Sequence, residues 1–342
     1  MKKQGLPVTA RGNCMTKEQV LSLLEGGDYV SGQRISELLG VSRAAVWKAI
    51  QQLREEGYTI ASGTNRGYCL TGRPDLLNRE GVLRCLGDHP WAAHLIVLAS
   101  VDSTNTYAKA LAAQGAPHGT VVISDHQTGG KGRRGRSFSS PKGKGIYLSL
   151  VLRYDVPPDQ LLCLTAVVAE AVRRAILEAA GLETGIKWTN DLVYEKRKLC
   201  GILTELSVVA ENGLTDYVVP GIGVNCGQLP EDFPPEVAPM ATSLCQALGR
   251  SVDRCQLAAE MVRQLYRAAG DLLEAPEDWM AGYKAHCITI GQDVKIVRGD
   301  RVQLAHVDDM DQQGALLVTL EDGTTDKVLS GEVSVRGMYG YV

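Results

Sequence analysis

Residues 120–153 read TVVISDHQTGGKGRRGRSFSSPKGKGIYLSLVLR, and the two apolar runs in this stretch bracket a tract that no packed core would choose. The runs over 120–124 and 146–153 have the length and β-branched content of buried strands. Between them Gly129, Gly130, Gly132 and Gly135 alternate with Lys131, Arg133, Arg134 and Arg136. Glycines free the backbone to close over a ligand, and interleaved ammonium and guanidinium groups suit a phosphate or an acyl phosphate. The tract lacks P-loop spacing. A disordered nucleic-acid-binding segment or a plain surface loop would use the same composition, but the strand that follows makes this an insertion in a folded sheet rather than a tail.

Upstream, a strand from Leu95 leads to Ser103-Thr104-Asn105 and a helix running through Ala108 to Ala113. Three small polar groups thus sit beside the free amides of a helix start. Downstream, Leu161, Leu164, Val168, Ala169, Val172 and Ile176 form the stripe of a core helix. The stretch GIKWTNDL (185–192) reads as a strand that ends in a buried type of tryptophan and exposes Asn190 and Asp191 at its terminus, where ligands are held. A turn over 195–197 returns into KLCGIL (198–203); a lone Lys198 there would ordinarily be solvated surface. GIGVN (221–225) is a strand whose two glycines admit close approach by a ligand or another strand.

Three helical patterns and a hairpin occupy the first seventy residues. Thr16 is placed to cap a helix carrying Val20, Leu21 and Leu24; Ser31 opens a second with Ile35, Leu38 and Leu39; Gly40 turns; Ser42 caps a third with Val46, Ile50 and Leu53 inward. Two strand-like segments around 63–67 complete a winged helix-turn-helix. Its third helix presents Arg43, Ala44, Ala45, Trp47 and Lys48, and its wing Arg66, as the candidate DNA-binding residues. A small helical bundle that docks on its neighbour would share this pattern. Residues 1–72 carry nine Lys/Arg against six Asp/Glu and the remainder 27 against 33, so the basic end is the end that would meet a polyanion. Past residue 290, four alternating segments between glycine and aspartate turns read as a small barrel.

The 342 residues are 44% apolar and 22% charged, an ordinary globular composition with room for two or three domains of about 100–200 residues. No apolar run approaches the roughly 20 residues a spanning helix needs, and the first thirteen residues lack the apolar centre of a secretory signal. Nine scattered cysteines without a C-x-x-C pair argue for reduced thiols, and six scattered histidines argue against a transition-metal site. Any metal would arrive with a nucleotide.

STN at 103–105, QTGGKGRRGR at 127–136, KWTNDL with RKLCGIL at 187–203 and GIGVN at 221–225 together resemble biotin protein ligases over about residues 95–285. With the flanking modules, nearly the whole chain resembles the bifunctional members of that family, the biotin-operon repressors. The resemblance implies an α+β multidomain chain with these parts: a tail over 1–13, a winged helix-turn-helix over 14–72, a linker over 73–88 that includes Pro74, a mixed-sheet catalytic domain over 89–286, and an SH3-like β-barrel over 287–342. It implies ATP with magnesium as cofactors and biotin as substrate, the carrier domain of a biotin-dependent carboxylase and operator DNA as partners, a homodimer formed on binding biotinoyl-5′-AMP, and a cytoplasmic location without membrane attachment.

By matching positions, the resemblance assigns the biotin head to Ser103, Thr104, Asn105 and Gln127, with Lys131 and Lys198 near its carboxylate and Gly132, Gly201, Gly221 and Gly223 as backbone walls. It makes Arg133 and Lys198 catalytic, and Arg133, Arg134, Lys187, Asn190, Asp191, Asn225 and Met240 nucleotide contacts, with Asp191 also the candidate magnesium ligand and Glu332 and Arg336 on a family-like segment. Lys131 departs from the arginine of better-known repressors, keeping the charge but losing the bidentate fork. Met240 stands where some members place an adenine-stacking tryptophan. A ligand-sensing transcription factor that has lost catalysis, and a lipoate-type ligase, remain alternatives at this level. Intact Arg133, Lys198 and Asn225 speak against the first, and the loop with KWTNDL against the second.

Overall fold

The computed structural model describes residues 9–55, 57–63, 66–72, 75–298, 301–330 and 333–337, without the side chains of 9–15 and 333–337. The chain divides into two compact units, residues 1–75 and 76–342. The first holds α1 (Thr9–Leu24), α2 (Gly32–Leu39), α3 (Arg43–Glu55) and the hairpin β1 (Thr59–Gly63) and β2 (Gly67–Gly72). Ser31 caps α2 by accepting from the Arg34 amide at 3.1 Å, and Ser42 caps α3 by accepting from the Ala45 amide at 3.2 Å. Gly40 ends α2 with φ 65°, a left-handed turn that glycine makes without a steric penalty. Val20, Leu24, Ile35, Val46, Ile50 and Leu53 close the core. The expected cap at Thr16 is wrong: α1 begins at Thr9 and takes in part of the stretch read as a tail. Gly12 and Asn13 are weak helix formers, yet the backbone runs helical through both.

In the second unit α4 (Arg79–Leu86) buries Val82 and Leu86 against α8, so residues 79–86 of the stretch read as a linker are part of this unit's core. Pro74 lies outside the described residues. A seven-stranded mixed sheet follows, made of β3 (Leu95–Leu98), β4 (Thr120–Ser124), β5 (Gly145–Val151), β6 (Gly185–Lys187), β7 (Asp191–Tyr194), β8 (Arg197–Val208) and β9 (Thr215–Asn225). The order is β3-β4-β5-β9-β8-β7-β6, parallel only between β3 and β4. One face, with Ile146, Leu148, Leu150, Cys200, Ile222 and Val224, packs on α6 (Leu164–Ala180) and α8 (Arg254–Asp271), with α7 (Leu244–Leu248) and α9 (Glu277–His286) alongside. On the other face α5 (Thr104–Ala113) sets Ala108 and Ala112 on Val122, Val151 and Val219 and covers only part of that face. Each fully buried aliphatic side chain contributes roughly 1.5–3 kcal/mol by leaving water.

The C-terminal segment is a five-stranded antiparallel sheet of β10 (Asp293–Arg298), β11 (Arg301–Met310), β12 (Leu316–Leu320), β13 (Thr325–Val328) and β14 (Val333–Gly337), ordered β13-β12-β11-β10-β14. Among the described residues no pairing joins the edges β13 and β14, so the expected barrel appears here as a sheet. Alternation of apolar and polar residues predicts half-buried strands but not whether their edges meet. Glu332 and the Arg336 side chain lie outside the described residues. The eight cysteines with described side chains are free thiols. Among the described residues no helix is long and apolar enough to cross a membrane.

Candidate functional site

Strand register builds the floor of a cleft on the face that carries α5. Gly223 pairs with Tyr147 of β5 and Gly201 of β8, and Gly221 with Ser149 and Leu203. Side chains alternate along a strand, so these positions share the face that α5 covers only in part. The resulting hollow has a volume of about 450 Å³ counted out to its mouth. A Cβ on Gly221 would fall 1.8 Å from Asn105 Oδ1, and one on Gly223 would fall 2.5 Å from the Phe138 ring. The close approach expected at GIGVN is therefore made by two side chains of this protein.

At one end of the cleft stands the first turn of α5. Ser103 is its N-cap but makes no side-chain capping bond, which leaves its hydroxyl to the cleft. The Thr104 amide donates to Gln127 Oε1 at 2.8 Å, with the Thr104 hydroxyl 3.1 Å from the same atom, and Gln127 Nε2 donates to Ser140 Oγ at 2.9 Å. Asn105 Nδ2 donates to the Leu203 carbonyl at 3.2 Å and to Glu205 Oε2 at 2.9 Å. Ser103, Thr104, Asn105 and Ser149 are all buried.

At the other end the cationic tract folds back on itself: Phe138 N donates to Gly130 O at 2.9 Å and Gly132 N to Arg136 O at 2.7 Å. Arg134, at φ 57°, occupies the left-handed region at the tip. Arg133 donates to Asn190 Oδ1 at 3.1 Å, while Asn190 Nδ2 donates to the Ile202 carbonyl at 2.9 Å, which fastens the tract to the end of KWTNDL. Lys131 reaches the Thr106 hydroxyl at 2.9 Å, and Lys198 is paired with Asp191 at 2.7 Å. Burial lowers the affinity of Arg133 for its proton; Asp191 acts against this, and Arg134 and Arg136 act with it. A guanidinium in such a place still keeps its charge.

Ser103, Thr104, Asn105, Gln127, Lys131, Gly132, Arg133, Asn190, Lys198, Gly221 and Gly223, separated by more than a hundred positions in the chain, all line this one cleft. Arg134, Lys187, Asp191, Asn225 and Met240 do not. Asn225 is 4% exposed; it donates to Thr242 O at 3.0 Å and accepts from Gln228 Nε2 at 3.1 Å, so its amide secures a neighbouring loop. Met240 is 42% exposed on that loop, whose next residue, Ala241, bridges to Lys198. Asp191 is engaged by Lys198, and among the described residues no three His, Cys, Asp or Glu side chains converge. The acidic residues here do not make a protein cage for magnesium.

Phe138, Ile202, Leu203 and Ile222 also line the cleft. Phe138, one of two phenylalanines in the chain, stood out only by rarity; Leu203 follows from strand register, which the sequence does not state, whereas Ile202 and Ile222 alternate to the helix-packed face and have their side chains in the core. The WTND segment has a brace that sequence patterns could not indicate. Trp188 Nε1 donates to Gly314 O at 2.8 Å in the C-terminal sheet, its amide donates to Thr289 Oγ1 at 3.0 Å, and Tyr283 donates to the Thr189 carbonyl at 3.1 Å. In the first unit Arg43, Ala44, Trp47 and Lys48 are exposed along α3, with Trp47 57% exposed and Ala45 half-buried. Arg66 is exposed on the hairpin, its guanidinium 6.0 Å from the Tyr29 ring centroid.

A mixed sheet with a glycine floor, a polar helix start at one end of its cleft and a cationic loop at the other has counterparts among known proteins. Residues 97–225 match the biotin/lipoate A/B protein ligase family, 16–69 an HTH domain and 289–336 the biotin protein ligase C terminal domain. The Bifunctional ligase/repressor BirA of Bacillus spizizenii is 35% identical over 91% of this chain and 95% of its own length, and that of Escherichia coli 32% over 93% and 96%. The biotin protein ligase from Aquifex aeolicus, solved in complex with biotin and ATP, superposes with a TM-score of 0.61 at 28% identity over 71% of this chain and 98% of its own. The chain belongs to the family of bifunctional biotin ligase/repressors.

Proposed function

We infer that this protein is an ATP-dependent biotin protein ligase and a biotin-responsive transcriptional repressor. The observation that carries the ligase half is the convergence of a neutral hydrogen-bonding end and a cationic end on one glycine-floored cleft. In the first half-reaction a biotin carboxylate oxygen attacks the α-phosphorus of ATP, the bond to the β-phosphate breaks, and pyrophosphate leaves. In the second, the neutral amine of a carrier-domain lysine attacks the acyl carbon of biotinoyl-5′-AMP, AMP leaves with the bonding pair, and the nitrogen gives up a proton to solvent as the amide forms.

The first step brings two anions together. Lys131, Arg133 and Lys198 supply a positive field that favours their meeting and the charge that builds on the phosphoryl oxygens. Ser103, Thr104, Asn105 and Gln127 hold the ureido head, Gly132 lets ligand and backbone come close, and Gly221 and Gly223 make room for Asn105 and Phe138 in the cleft wall. Asn190, through Arg133, holds the loop down over the adenylate. Arg134, Lys187, Asp191 and Met240 belong to the nucleotide end, and Asn225 acts there by holding the loop that carries Met240. Magnesium enters as a companion of the triphosphate, and no step is assigned to it. The C-terminal sheet is read as the SH3-like module that braces WTND through Gly314.

The repressor half rests on α3 and its hairpin, with Arg43, Ala44, Ala45, Trp47, Lys48 and Arg66 facing operator DNA. Formation of the adenylate orders the cationic loop and promotes a homodimer that matches a two-fold operator. Both partners, operator and carrier, are met in the cytoplasm. Incubation with labelled biotin, magnesium and ATP yields labelled adenylate, and addition of an apo carrier domain moves the label onto protein; absence of both products refutes the ligase reading. Sedimentation with and without biotin and ATP tests the dimer, and an unchanged mass at micromolar protein rules it out.

A further inference from the structure

We propose that Glu205, which does not line the cleft, is a positioning residue that sets the direction of hydrogen-bond donation at Thr104 and so makes this end of the cleft selective for a ligand N–H. The inference rests on the biotin reading above and adds to it a residue that determines specificity.

Glu205 sits on β8 in contact with two donors, Lys109 and Asn105 Nδ2, the latter at 2.9 Å. Burial favours its neutral form, but hydrogen bonds from Lys109 and Asn105 and the charges of Lys109 and Lys131 outweigh this and hold the carboxyl below its ordinary range. At neutral pH it is a pure acceptor. The end of Asn105 that faces Glu205 and the Leu203 carbonyl must therefore be the NH₂ end, which points Oδ1 at Ser149.

Ser149 is fully buried, with its hydroxyl 2.6 Å from Asn105 Oδ1 and 2.8 Å from Thr104 Oγ1. It has one proton. Asn105 Oδ1 can only accept, so the proton goes there and Ser149 shows Thr104 a lone pair. The other neighbour of the Thr104 hydroxyl, Gln127 Oε1 at 3.1 Å, is also an acceptor and already takes the Thr104 amide. Ser149, nearer at 2.8 Å and with a lone pair turned to it, is the better acceptor, so the Thr104 proton points into the protein, and the cleft sees only a lone pair. A ligand N–H is bound there, whereas an oxygen in its place meets a second lone pair. A buried polar group left unpaired is costly, which is the means by which such sites reject isosteres. For biotin the donor is one ureido N–H, and the ureido carbonyl is left to the Ser103 hydroxyl or the second Gln127 amide proton.

The test compares adenylation kinetics, read as pyrophosphate release, for biotin and for two analogues in which one or the other ureido N–H is replaced by oxygen. The wild-type protein is expected to prefer biotin over one analogue by at least about 10²-fold in kcat/KM. Glu205→Gln, whose amide can itself donate to Asn105, and Ser149→Ala, which cuts the chain, are each expected to lower that preference about tenfold through the KM for biotin, with the KM for ATP within about twofold. Ser149→Ala leaves the Glu205–Lys109 pair intact and carries the test if Glu205→Gln does not fold. Variants that lose activity equally toward all three compounds, or keep the full preference, overturn the inference while the ligase reading stands. A wild-type protein that forms no adenylate from biotin overturns both.

Discussion

The two ends of the cleft are built on opposite terms. At the α5 end every described polar contact lies within the protein: Thr104, Asn105 and Ser149 are buried and joined to Gln127, Ser140 and Glu205. On the cationic loop Arg134 and Arg136 are exposed, Lys131 reaches Thr106 of α5, and Arg133 is tied to Asn190. A neutral hydrogen bond acts only at short range and in good alignment, so the groups that make it are held in place beforehand. A charge acts over a longer distance and keeps its water until a counter-charge arrives. One end is rigid because geometry must select the ligand; the other can wait for it.

The contrast can be broken at either end. The largest effect is expected at Lys198: Lys198→Ala removes a cation and leaves Asp191 without this partner, and adenylate formation should fall about 10²–10³-fold in a single-turnover assay. A loss under tenfold would mean that the positive field does not depend on it. Gly221→Ala attacks the rigid end, where the new methyl would overlap Asn105; overpacking of about 1–3 kcal/mol should raise the KM for biotin roughly tenfold or more and lower Tm. An unchanged KM would show that Asn105 can move aside. Asn190→Ala removes the tie of the loop through Arg133. Because a charged hydrogen bond contributes about 1.5–3 kcal/mol, labelled adenylate should escape about tenfold faster in a filter assay, and equal retention would show that the loop is held by other means. The smallest effect concerns the first unit: Lys48→Ala should reduce the slope of log K against log salt for operator binding by about 1, and an unchanged slope would remove Lys48 from the phosphate contacts.

Legibility followed the range of the interaction. The caps of α2 and α3 at Ser31 and Ser42 were readable because a helix cap is set by neighbours three residues apart. The start of α1 was not: a cap was read at Thr16, but the helix begins at Thr9. The ten residues first assigned to the biotin end, and Arg133 with them, were reached through short motifs, and all of them line the cleft. Asn225 was recognised as part of its motif, but its contacts with Gln228 and Thr242 could not be foreseen.

Local pattern alone was thus enough to read α2, α3 and the strands around the cleft, the loop of alternating glycine and cation, and the polar start of α5, but not α4 or α7 to α9. Periodicity, capping and charge are properties of near neighbours, and they survive in one dimension. Which strands lie side by side was decided by folding. It put Gly221 beside Ser149 and Leu203, stood Glu205 behind Asn105, and brought Gly314 to Trp188 across more than a hundred residues. The direction of the proton at Thr104 belongs to that second class. It depends on a chain of acceptors drawn from α5, β5 and β8, and no one of those segments contains it.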